Sequence, residues 1–138
     1  MREFPKQSPG FPVELASGVD ALYLSARGDV PAPLLCDLDS AKTQALSDGE
    51  PLDADLGGYD VRVQGSGWGK YRYCVTHELA RIGITPSESL PSVRIRPTAL
   101  ALHALGPETT VSWARNLLDA AGIDATLQVS RLDLHADW

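Results

Sequence analysis

The chain has 138 residues, is 43% hydrophobic and 22% charged, and carries a formal net charge of −6 at neutral pH. That length suits one hydrophobic core rather than two, and the balance is that of an ordinary soluble domain. No apolar run approaches the roughly 20 residues of a membrane helix, and the start MREFPKQSPG lacks the apolar centre of a signal peptide. The expected location is therefore the cytoplasm, with no membrane partner.

Residues 1–17 are rich in Pro, Gly and Ser and read as a flexible arm; residues 18–138 read as one domain. GVDALYLSAR (18–27) has the Val, Leu and Tyr content of a strand. In VPAPLLCDLDSAKTQALSDGEP (30–51), Leu34, Leu35, Leu38, Ala41, Ala45 and Leu46 fall at helical spacing before Gly49 and Pro51 end the run. LDADL is a short strand, and residues 58–87 read as three strands with a Gly-rich turn at 65–69, an antiparallel meander. Val93, Arg94, Ile95 and Arg96 alternate as in a strand, which Pro97 interrupts and which is expected to resume after it.

A second helix follows, with Pro107 in its first turn, Glu108 near its positive end and Gly122 as its stop. Val111, Ala114, Leu117, Leu118 and Ala121 form its apolar stripe. TLQVSRLDLHADW is the last strand. The fold expected is α+β, a single antiparallel sheet with two helices packed mainly on one face.

The acidic average hides a polarity. Residues 1–60 hold 4 Lys+Arg against 11 Asp+Glu (−7), residues 61–96 hold 6 against 2 (+4), and residues 97–138 hold 2 against 5 (−3). The net charge taken alone argues against a nucleic-acid partner, but the basic middle of Arg62, Lys70, Arg72, Arg81, Arg94 and Arg96 makes a positive patch possible; solvated strand faces are the plainer reading. Cys36 and Cys74 lack CxxC spacing and are expected as buried free thiols.

The terminal VSRLDLHADW, read as a strand, puts Arg131, Asp133, His135 and Asp137 on one side and Leu132, Leu134, Ala136 and Trp138 on the other. Residues two apart on a strand lie about 6.6–6.8 Å apart, close enough for carboxylates and an imidazole to converge on one cation. Such donors suit Mg²⁺ or Mn²⁺, although polar alternation is also what any half-exposed strand shows.

GVDALYLS, GWGKYRYCVTHELARIGITPS, PSVRIRP, HALGPE and above all VSRLDLHAD resemble the N-terminal half of the trans-acting replication initiation factors, rolling-circle initiators of plasmids and filamentous phages. SRLDLHAD fits the family's Arg, apolar, Asp, apolar, x, x, Asp pattern at Arg131, Leu132, Asp133, Leu134, His135, Ala136 and Asp137. The resemblance implies DNA replication initiation by an endonuclease of the HUH nickase type. A divalent metal, Mg²⁺ or Mn²⁺, polarises a phosphate, and a tyrosine attacks to leave a 5′-phosphotyrosyl link. It implies Asp133 and Asp137 as metal ligands, with the role of His135 open, and origin DNA, single-stranded or hairpin, as partner. Arg62, Lys70, Arg72, Arg94, Arg96 and Arg131 are the residues expected to contact it.

Family members continue past this motif, where their nucleophilic tyrosine is expected, whereas this sequence ends one residue after Asp137. Tyr71 and Tyr73 in KYRYC are substitutes for it only weakly, since alternating tyrosines in a strand are ordinarily packing residues, and Tyr23 and Tyr59 have weaker claims. Two other readings stand beside catalysis. One is a non-catalytic DNA-binding or regulatory module that pairs with a full-length initiator or with itself; the other is an acidic protein-interaction domain. GSGWGK lacks phosphate-loop spacing and reads as a hairpin turn. Trp68 within it either stacks on an unpaired base or closes over the hairpin. His77 and His103 read as structural or surface histidines.

Overall fold

The structure is a computed structural model that describes residues 19–86 and 88–134. His135 and Asp137, and the arm expected at 1–17, lie outside the described residues. Seven antiparallel strands form one sheet: β1 (Val19–Asp29), β2 (Leu52–Leu56), β3 (Tyr59–Val63), β4 (Tyr73–His77), β5 (Ala80–Ile84), β6 (Val93–Pro97) and β7 (Asp124–Leu134). Their order across it is β2-β3-β4-β5-β6-β1-β7. Among the described residues three helices, α1 (Ala32–Asp48), α2 (Ala99–Leu105) and α3 (Pro107–Ala120), pack against it. The α+β architecture matches the expectation; the third helix was not expected.

Local chemistry sets the helix bounds. Pro31 precedes α1, and Gly49 ends it with φ 75°, where its N–H donates to the Ala45 carbonyl at 2.9 Å. Pro97 ends β6, and Thr98 then caps α2 by accepting the Ala101 N–H on its hydroxyl at 3.1 Å. The strand expected to resume after Pro97 is this helix. In α3, buried Thr110 donates its hydroxyl to the Gly106 carbonyl at 2.6 Å, so the fully buried side chain leaves no polar atom unpaired.

The helix-side face of the sheet is the core. Ile82 faces Ile95 and Ile95 faces Leu24 across β5, β6 and β1, and all three are buried to within 1%. Leu117 and Leu118 of α3 and Leu38 of α1 complete the layer. Leu46, counted above in the apolar stripe of α1, is 70% exposed, because the helix turns it away beyond the edge of its contact with β2 to β4. Cys74 is buried but Cys36 is exposed, contrary to expectation, because its place on α1 faces away from the sheet; both are free. Among the described residues no helix is long and apolar enough to cross a membrane.

Candidate nucleic-acid interface

Among the described residues no helix packs on the sheet's other face, and strand register decides which side chains share it. Directly opposed residues lie on the same face. Arg81 faces Arg96, Gly83 faces Arg94, Arg94 faces Ser25, and Tyr23 faces Arg131. Arg27 follows two residues after Ser25 on the same side of β1. Five arginines from four adjacent strands therefore converge on one surface.

Tyr23 stands at its centre. The guanidinium carbons of Arg96, Arg131 and Arg94 lie 5.1, 5.3 and 5.6 Å from its ring centroid. Arg94 also lies 4.6 Å from the Trp68 ring and Arg81 lies 5.3 Å from it, so cations and aromatic rings alternate across the face.

A bulge in β7 aims Arg131. Leu127 and Val129 face Ala26 and Leu24 on the core side, yet Arg131 faces Tyr23 on the open side, so Ser130 is an extra residue between them. Its hydroxyl donates to the Tyr23 carbonyl at 3.0 Å and holds the bulge. Were Ser130 paired in unbroken alternation instead, Arg131 would point to the core side.

The Gly-rich segment 65–70 forms more than a turn. Trp68 and Tyr71 exchange both backbone hydrogen bonds at 2.9 Å, and the two side chains lie over Gly83. A Cβ on Gly83 would come within 3.0 Å of both rings, so the absence of a side chain there is what lets them dock. Lys70 and Gly69 at the tip, Tyr23 and Arg94 on the floor, and Ser130 and Arg131 on β7 line a groove of about 490 Å³.

Of the expected DNA contacts, Lys70, Arg94, Arg96 and Arg131 come together here. Arg62 stands apart at the acidic end, paired with Asp53 at 3.2 Å. Arg72 lies 6.0 Å from the Tyr73 ring and its carbonyl accepts from Lys42 of α1, which places it away from the cluster. Arg27 and Arg81 belong to the face and were not among the expected contacts. Alternation along LYLSAR could have found Arg27, but it sits in the acidic first 60 residues.

The two tyrosines of KYRYC part company. Tyr73 is buried on the helix side and donates its hydroxyl to Asp39 at 3.1 Å. Tyr71 belongs to the open side; burial pushes its phenol above the ordinary value while Arg94 and Arg27 pull it back, so it stays protonated at neutral pH. Asp133 opposes Ala21 on the open side, and its carboxylate accepts from Arg131 Nε at 3.0 Å. Among the described residues no three His, Cys, Asp or Glu side chains gather where a metal could be held. Asp133 alone, already engaged by Arg131, does not make such a site.

The electrostatics favour an external anion. Like charges directly opposed on a sheet repel, and Arg81 and Arg96 are such a pair. Among the described residues the ion pairs are Arg62 with Asp53 and Arg131 with Asp133, so Arg27, Arg81, Arg94 and Arg96 have no carboxylate of a described residue within 4.0 Å. Guanidinium groups set around aromatic rings are chemically suited to phosphates, and flat rings to stacking on bases. In comparisons with known proteins, no family model, no curated protein and no solved structure matches this chain.

Proposed function

We propose that this chain binds DNA through the open face of its sheet, in the manner of the N-terminal portion of a rolling-circle replication initiator. The observation that carries the reading is the ring of Arg94, Arg96 and Arg131 around Tyr23 in a chain of net charge −6. Arginines hold backbone phosphates, and Tyr23 and Trp68 offer ring faces to bases. The acidic β2–β3 end, with Asp53, Asp55 and Asp60, repels the backbone and confines it to the β5-β6-β1-β7 half.

Nicking is the second element of the proposal, and one observation favours it: Asp133 of the SRLDLHAD motif lies on this same face, beside Arg131 and Tyr23. A divalent ion, when bound, would supply charge stabilisation at a phosphate. Asp133 is the described residue placed to contribute to that, and Arg131 orients its carboxylate through their hydrogen bond. Binding without nicking, as a regulatory module, requires only the arginine face.

The test is anisotropy of a labelled single-stranded oligonucleotide of about 20 nucleotides, longer than one such face covers. Substituting Arg81→Gln with Arg96→Gln is expected to weaken binding about tenfold or more. Substituting Arg62→Gln with Arg72→Gln, away from the cluster, is expected to leave it nearly unchanged. Equal losses in the two pairs would refute this assignment of the face. Cleavage with added Mn²⁺, abolished by Asp133→Asn, is the readout for nicking.

A further inference from the structure

We infer that the groove between the Gly69–Tyr71 turn and β7 is a subsite for one unpaired nucleotide, holding its phosphate between Lys70, Arg94 and Arg131 and its base against Tyr23. This rests on the nucleic-acid reading above and specifies which unit of the strand is gripped and where. The three cations reach the groove from three different places, the turn, β6 and β7, and converge on one volume rather than lying along a track. A single phosphate group is what such convergence suits. Ser25 and Ser130 also line it, and Leu90 and Pro91 give it an apolar wall.

Size and shape select the occupant. At about 490 Å³ the groove falls in the range of small-ligand sites, not of an extended surface track. In a duplex the bases are stacked and paired inside, so none reaches the Tyr23 ring at the floor; an unpaired nucleotide does. Arg94 and Arg131 occupy that ring in the free protein at 5.6 and 5.3 Å. An entering base exchanges one cation contact of the ring for a stacking contact, and the released guanidinium turns to the phosphate that arrives with it.

Calorimetry on the full chain tests this with thymidine 5′-monophosphate, thymidine and inorganic phosphate. The monophosphate is expected to bind about tenfold or more tightly than either part alone. Arg131→Gln and Tyr23→Ala are each expected to weaken it about tenfold, while Tyr23→Phe, which keeps the ring, binds as wild type does. A monophosphate that binds no better than phosphate, or a Tyr23→Phe variant as weak as Tyr23→Ala, overturns the subsite. So does a fully paired duplex that displaces the monophosphate as well as a single strand does. If the subsite fails while a longer single strand still binds through Arg81 and Arg96, the nucleic-acid reading stands; if no nucleic acid binds, both fall.

Discussion

Gly83 offers a direct way to separate the docked Gly-rich segment from the sheet beneath it. A Cβ there would sit 3.0 Å from Trp68 Cε3 and 3.0 Å from Tyr71 Cγ, about half an ångström inside ordinary carbon contact. Gly83→Ala therefore crowds two rings while gaining about 0.5–1 kcal/mol from the reduced freedom of the unfolded chain, for a net cost of about 1 kcal/mol or less. Gly83→Val adds two further methyl groups that neither ring can clear. The segment must lift, exposing Tyr71, which is 6% accessible, and the expected cost is about 2–3 kcal/mol. Urea denaturation gives the stability change. Near-ultraviolet circular dichroism, with Trp68→Phe as reference, reports whether the Trp68 environment is lost. A Gly83→Val variant with wild-type stability and an unchanged spectrum would show that the rings do not rest on this residue.

Other substitutions probe the frame that positions the face. Thr98→Ala removes the α2 cap and is expected to cost about 1 kcal/mol in urea unfolding, with Thr98→Ser close to wild type. Tyr73→Phe removes the part-buried bond to Asp39 and should cost about 1 kcal/mol, leaving DNA affinity unchanged because Tyr73 lies on the opposite side of the sheet. His77 predicts a pH dependence: burial lowers its pKa, against smaller opposing pulls from Glu78 and Asp60, and its Nδ1 accepts the Leu79 N–H at 2.9 Å. The unfolded chain then binds the proton more readily, so the contribution of His77 is present above the unfolded pKa of about 6.5 and is lost as pH falls from there towards the lower folded value. Urea midpoints at about pH 7.5 and about pH 5.5 should differ less in His77→Gln than in wild type; an equal difference would refute the assignment.

Particular residues explain how much of this was legible in the sequence. Pro31 with Gly49 bracket α1, Pro107 opens α3, and glycines mark the β2–β3 and β3–β4 turns, so most of the sheet and two helices could be laid out in order. Helix α2 was missed because TALALHAL alternates small and large apolar residues, a period of two that masks good helix formers. The signal that outweighs it is Thr98 after a proline, a cap rather than a strand continuation. The basic face was half legible. Alternation placed Arg94 and Arg96 on one side, but which strands adjoin β6 is a matter of topology, and β1 brings Tyr23 and Arg27 there from the acidic part of the chain. The bulge could have been seen: apolar residues fall on odd positions at Leu127 and Val129 and on an even one at Leu132, a phase slip that only an extra residue allows.

The salt dependence of binding measures the proposed phosphate recognition by the arginine face most directly. Each neutralised phosphate of a single strand contributes a slope of about −0.7 in log affinity against log salt. Arg27, Arg81, Arg94, Arg96 and Arg131 with Lys70 predict a slope of about −4, and Arg81→Gln with Arg96→Gln predicts one shallower by about 1.4. A wild-type slope near zero, or one that these two substitutions leave unchanged, would contradict it.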